Sequence, residues 1–232
     1  MRRIRGVTGR AVRWHHSLLQ GPYLTLLLGV QAVFIFGVAP LASVGALSRN
    51  NVNLMHLLMG LLSVLVVPTR LARLLVLSTL SATVVLTTAE ALRPAGPGLH
   101  LSVLLATFLF TAVVAATVGR AVLGGGPVTH HRIQGAMVVY LHLALLFVSL
   151  YGLLETGSPG SFTGMSANPR LQFGQLLYFS LTTLTSTGYG DVLPLHPLAR
   201  SLANLESVVG QLFMATLFAR LVSLHLLAPR PA

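Results

Sequence analysis

Long apolar runs divide this chain, and their length decides what it can fold into. A hydrocarbon core about 30 Å thick is crossed by about 20 apolar residues in a helix. Six stretches approach that length: Leu24 to Leu47, Val52 to Val67, Leu71 to Leu92, Leu99 to Val118, Ile133 to Leu154 and Ser201 to Leu227. The second stops at Pro68 and the third begins at Leu71, so these two are expected to form a tight hairpin. A further segment, Leu171 to Leu184, has fourteen residues and is rich in Thr. It is too short to cross a bilayer and reads as a re-entrant half-helix. The expected fold class is an all-α membrane protein with six transmembrane helices and one re-entrant helix.

Composition agrees with that class. Soluble domains carry about 25% charged residues, whereas this chain carries 8%, with 54% hydrophobic. Cysteine is absent, which excludes a disulfide framework, a thiolate metal site and a cysteine nucleophile. The net charge of +11 comes from fifteen basic residues, all Arg, scattered between the apolar runs. That scatter reads as a topology signal rather than a nucleic-acid surface. With the N-terminus inside, Arg2, Arg3, Arg5, Arg10, Arg13, Arg70, Arg73, Arg120, Arg132, Arg220 and Arg230 are cytoplasmic. Arg49, Arg93, Arg170 and Arg200 are then outside, together with Glu90, Glu155 and Asp191. The stretch "APLAS" at residues 39–43 resembles a cleavage site, but the apolar run continues past it. An uncleaved first helix is the expectation.

Between the last two apolar runs lies "SLTTLTSTGYGDVLP", residues 180–194. A half-helix entering from outside and ending near Thr185 aims its C-terminal carbonyls into the membrane. The chain then climbs out through "STGYGD". Bare backbone at that depth is tolerated only where protein or a water-filled path surrounds it. Gly188 and Gly190 alternate with other residues and take positive φ at little cost. Alternating handedness turns successive carbonyl oxygens to one side, where a column of them replaces the hydration shell of a monovalent cation.

The motif "TSTGYGD" resembles the selectivity filter of the tetrameric potassium channel family. "FGQLLYFSLTTLT" before it is similar to that family's pore helix, and "LANLESVVGQLFMATLFARLVSL" after it to the inner helix. Outer helix, pore helix, filter and inner helix follow in the family's order over residues 133–227. The resemblance implies K+ sites formed by the carbonyls of Ser186, Thr187, Gly188 and Tyr189, with the Ser186 hydroxyl closing the innermost. Gly190 would open the mouth and Asp191 would form a carboxylate ring there. Tyr178, Phe179, Thr182 and Thr183 would support the filter, the Tyr189 ring bracing against Tyr178 and Phe179. Gly210 would be a gating hinge, with Met214 and Phe218 lining the inner cavity. Ser186 stands where Thr is usual, and Thr187 where Val or Ile is usual, which adds a hydroxyl needing a partner. Thr182 occupies a position where some members brace the filter aspartate with a carboxylate. One strand cannot surround an ion, so the expected assembly is a homotetramer in the bilayer.

Glu206 is the one carboxylate expected inside a spanning helix. It either hydrogen-bonds behind the filter or pairs with Arg200 or Arg170 at the interface. The fourth run has no Arg or Lys at every third position, so a voltage sensor is not expected and a leak-like or weakly gated channel is. The pairs His15–His16 and His130–His131 read as interfacial residues, and "GGGPVTHH" as a linker rather than a phosphate loop. Neither an enzyme nor a cofactor is expected, since no helix carries Ser-His, His-carboxylate or Glu-x-x-His. The expected division is a basic cytoplasmic N-terminus (1–22), a four-helix module (23–119), a linker (120–132), a pore domain (133–227) and a short cytoplasmic tail (228–232). Two other readings stay open: a non-selective monovalent cation channel, and the ion-conducting subunit of a cation transporter.

Overall fold

The computed structural model describes residues 22–47, 49–67, 69–92, 96–123, 130–166 and 168–227. The N-terminal segment before Pro22, residues 124–129 of the 120–132 linker and the tail lie outside the described residues. Among the described residues seven helices run α1 (Pro22–Ser43), α2 (Arg49–Val66), α3 (Arg70–Leu92), α4 (Pro97–Leu123), α5 (His130–Gly157), α6 (Pro169–Leu184) and α7 (Pro197–Leu227). Two short strands, β1 (Phe162–Thr163) and β2 (Leu193–Pro194), flank α6. They pair antiparallel, Phe162 opposite Pro194 and Thr163 opposite Leu193.

Local chemistry sets the helix boundaries. Pro40 has no N–H for the carbonyl four residues back, and its ring would crowd that carbonyl. The turn before it widens into a π-helix over Phe34–Val38, with the Ala39 N–H donating to the Phe34 carbonyl. Gly45, at φ +79°, then ends α1, and the Ala46 and Leu47 N–H groups fold back onto the Leu41 carbonyl. The hairpin expected between the second and third runs is present. Thr69 caps α3 by accepting from the Ala72 N–H, and Arg73 Nε donates to the Val67 carbonyl at 2.8 Å. Arg73 therefore neutralises the negative end of α2 as well as anchoring the turn.

Helices α2, α3, α4 and α5 pack each on the next, and α5, α6 and α7 pack mutually. The first helix does not simply join α2 to α4: its C-terminal end lies on α6, and its polar side chains reach α5. Thr25 Oγ1 meets Gln134 Oε1 at 2.9 Å, and the fully buried Gln31 meets His142 Nδ1 at 2.7 Å. Gly174 of α6 fits against the Ser43 side chain, where a Cβ would collide. His100 Nδ1 and Glu90 Oε1 join α3 to α4 at 2.7 Å.

Tyr151, Phe34, Phe110, Leu27, Ile35 and Met59 fill the core. Many large apolar residues stay exposed, Leu71, Leu74, Val85 and Leu92 of α3 among them, as lipid contact requires. Four described helices are long and apolar enough to cross a bilayer: Pro22–Ser43, Arg70–Leu92, Gly98–Arg120 and His131–Gly157. In α2 the apolar part shortens to Asn53–Val66. The longest helix, α7, has 31 residues, about 46 Å, with Asn204, Glu206 and Gln211 lowering its hydropathy.

The Gln31–His142 contact is a buried polar link between α1 and α5. Replacing Gln31 by Leu should destabilise the detergent-solubilised protein by about 1–2 kcal/mol. Thermal unfolding should report a midpoint several degrees lower, while Leu71→Ala at the exposed face of α3 should leave it nearly unchanged.

Candidate ion-conduction site

The half-helix α6 has 16 residues, about 24 Å, less than a bilayer core. Pro169 starts it at a position where a missing N–H costs nothing. It ends at the fully buried Leu184, and the following backbone turns its N–H groups back onto the last helical turn. Thr185 donates to the Leu181 carbonyl at 3.1 Å and Ser186 to Thr183 at 3.0 Å. Thr187 and Gly188 both donate to Thr182, at 2.8 and 3.2 Å. The Leu184 carbonyl accepts from the Tyr140 hydroxyl at 3.2 Å. Among the described residues, no hydrogen bond reaches the carbonyls of Ser186, Thr187, Gly188 or Tyr189.

Every second residue in this stretch is left-handed: Ser186 at φ +56°, Gly188 at +53° and Gly190 at +81°. Among the described non-glycine residues, Ser186 is the one with positive φ. Such a conformation costs about 1 kcal/mol or more in a residue with a Cβ, and α7 holds it. Gln211 Nε2 donates to Ser186 Oγ at 2.8 Å, and Ser207 Oγ lies 3.2 Å from the same oxygen. The Thr187 hydroxyl finds its partner in Thr185 Oγ1, 2.9 Å away. Since Thr185 Oγ1 donates to the Leu181 carbonyl at 2.7 Å, Thr187 is the donor of that pair. Residues 185–191 are all exposed in the single chain.

The aromatic residues of α6 divide between two environments. Tyr189 stacks on Tyr178, with ring centres 6.0 Å apart and planes 8° from parallel. The Tyr178 hydroxyl donates to Asp191 Oδ1 at 3.1 Å. Phe179, one residue on, turns into a buried cluster with Tyr151 and Phe162, at 5.1 and 5.4 Å. Thr182 Oγ1 donates within the helix to the Phe179 carbonyl, so the brace on Asp191 comes from Tyr178. Thr183 contributes its carbonyl, as acceptor for Ser186.

Glu206 is fully buried and ties three helices together. The Tyr151 hydroxyl of α5 donates to Glu206 Oε2 at 2.5 Å, and Ser180 Oγ of α6 lies 2.5 Å from Oε1. Ser180 Oγ is also 3.0 Å from the Ala144 carbonyl. The described contacts of Glu206 reach α5 and α6. Arg200 instead donates from Nε to the Pro194 carbonyl at 3.0 Å, and the Arg170 side chain lies outside the described residues. Helix α7 runs unbroken through Gly210, which abuts the Leu184 carbonyl so closely that a Cβ would overlap it. Met214 is half-buried on the same helix; the Phe218 side chain lies outside the described residues.

The loops on either side of α6 rest on contacts that sequence reading missed. Gly164, at φ +78°, lies against the Asp191 carbonyl, where a Cβ would collide. Gln175 of α6 spans the loop, with Nε2 donating to the Gly164 carbonyl and Oε1 accepting from the Ser166 N–H. Leu195 and His196 donate their N–H groups to the Ser161 carbonyl. An amide side chain in an apolar half-helix was the available signal for Gln175. Tyr140, Tyr151, Ser180, Ser207 and Gln211 had none, because their partners are distant in sequence.

Residues 135–225 match a family described as an ion channel. The match covers nearly all of α5, all of α6, the 185–191 stretch and nearly all of α7, in a helical chain that carries several described helices long and apolar enough to cross a membrane. The chain is also similar to the inward rectifier potassium channel Kirbac3.1 of Paramagnetospirillum magnetotacticum, with 33% identity over 72 residues. That stretch is 31% of this chain and 21% of the relative. No solved structure matches.

Ser180 has one hydrogen and faces two acceptors, so a group able to donate at Oε1 completes the set at Glu206. Glu206→Gln retains a donor and an acceptor and should keep stability and assembly near wild type. Glu206→Leu strands the Tyr151 hydroxyl and leaves Ser180 only the Ala144 carbonyl, and should cost about 1–3 kcal/mol. Thermal unfolding of the two purified variants, side by side, separates these outcomes.

Proposed function

We propose that the chain is one subunit of a homotetrameric, potassium-selective channel that passes K+ passively across the cell membrane. The observation that carries this reading is the backbone of residues 186–190. Its left-handed residues alternate, the N–H groups of Ser186, Thr187 and Gly188 point to α6, and among the described residues the carbonyls of 186–189 are left without hydrogen-bond partners. An ion entering a narrow pore must lose water, and a fixed ring of carbonyl dipoles supplies equivalent oxygens. Four copies of the Ser186, Thr187, Gly188 and Tyr189 carbonyls form the successive K+ sites, with Gly190 at the exit. Four Asp191 carboxylates raise the local cation concentration at the mouth. Tyr178, Thr182, Thr183, Phe179 and Glu206 keep the oxygens at fixed spacing. Gly210 gives the inner helix its flexible point, and Met214 and Phe218 line the cavity below. The exposure of residues 185–191 in one chain supports the tetramer, because that surface has three further copies to meet.

All six long helices span the membrane in this reading, α7 carrying its polar residues toward protein and pore rather than lipid. Both termini are cytoplasmic, and the absence of an Arg ladder in α4 leaves the channel leak-like.

Liposomes loaded with K+ and holding the purified protein should release K+ with a large preference over Na+. Gly188→Ala, which forces a side chain onto a φ of +53°, should abolish that flux while the protein still runs as a tetramer in mild detergent. Equal Na+ and K+ release would favour a non-selective cation channel, and a conducting monomer would refute the assembly.

Topology is testable because the chain has no cysteine. In intact cells, a membrane-impermeant thiol reagent should label Arg49→Cys and spare Arg73→Cys. The reverse pattern would invert the orientation.

A further inference from the structure

The Ser186 hydroxyl stands at the foot of the exposed stretch, on the one left-handed non-glycine residue described. A free hydroxyl rotates, so its hydrogen would spend much of its time toward a bound cation. The partners of Ser186 Oγ remove that freedom. Gln211 Nε2 carries only hydrogens, so at 2.8 Å it is the donor and occupies one lone pair of the serine oxygen. Ser207 Oγ, 3.2 Å away, is within reach as an acceptor for the Ser186 hydrogen. Both partners belong to α7, one turn apart, and both lie on the side of α7 that faces the end of α6. The remaining lone pair of Ser186 Oγ is the part left to face away from α7.

We infer that Ser207 and Gln211 are positioning residues that lock the Ser186 hydroxyl with its hydrogen turned toward α7 and its oxygen toward the innermost cation site. This rests on the channel reading above and adds two residues that touch no ion in it. The amide of Gln211 and the hydroxyl of Ser207 act together: one fills a lone pair, the other takes the hydrogen. An unheld serine at φ +56° would also lose the contacts that offset its backbone strain.

Ba2+ is close to K+ in size and carries twice the charge, so its affinity reports how well oxygens are oriented at a K+ site. In planar bilayers of phosphatidylethanolamine and phosphatidylglycerol, Ba2+ added on the cytoplasmic side should block wild-type K+ current. The half-blocking concentration should rise about tenfold in Gln211→Leu and in Ser207→Ala, and stay near wild type in Ser207→Thr, which keeps the hydroxyl. In a Ser186→Ala background, Gln211→Leu should add nothing, because the oxygen it orients is gone. If Gln211→Leu fails to assemble, the Ser207 pair gives the same readout. A K+-selective wild type whose half-block is unmoved by loss of either partner overturns this inference alone. A wild type that does not select K+ removes the channel reading and the inference with it.

Discussion

A carbonyl left without a hydrogen bond inside an apolar bundle costs free energy unless something else takes its place. The rest of the structure depends on how residues 185–190 meet that constraint. The N–H groups of residues 185–188 go to the last turn of α6, where Thr182 alone accepts two of them. The same bonds satisfy the carbonyls that every helix leaves open at its C-terminus. The half-helix therefore has to stop short, because its final turn serves the segment that follows. What remains is a row of oxygens on one piece of backbone, without protein partners in the single chain.

Around that row the helices are joined by side chains rather than by backbone. Tyr140 and Gly210 meet at the Leu184 carbonyl, one donating a hydroxyl and the other allowing close approach. Tyr151, Ser180 and Glu206 join α5, α6 and α7, about one turn away along α6 and α7. Tyr178 reaches Asp191, and Gln175 holds the outer loop that carries Gly164. A bilayer gives helices little hydrophobic reason to associate, so polar contacts and close packing decide which faces meet. The buried Gln31 performs the same office for α1, seating it on α5.

Much of this was legible in the sequence because the membrane imposes lengths. Apolar runs marked the helices, Pro68 marked the hairpin, and fourteen residues were too few to span, which marked α6 as a half-helix. Gly188 and Gly190 announced left-handed backbone; Ser186 did not, since serine reaches that conformation only when neighbours hold it. The two open placements of Glu206 differed by contacts 26 and 55 residues away, beyond any local pattern. Tyr178 and Phe179 looked equivalent as neighbours, yet helix geometry turns consecutive side chains about 100° apart. One therefore meets Tyr189 and the other enters the core. The position of α1 was hidden for a related reason: an apolar run shows that a helix is buried in something, without naming its neighbour.

Gly210 gives α7 the property of a key with a single notch. Only the residue without a Cβ fits against the Leu184 carbonyl. Turning α7 by one residue, about 100°, would bring Val209 or Gln211 into that place and drive a side chain into the end of α6. Rotation of α7 and an undisturbed 185–190 backbone therefore exclude one another, and the register of α7 is set at one point partway along it.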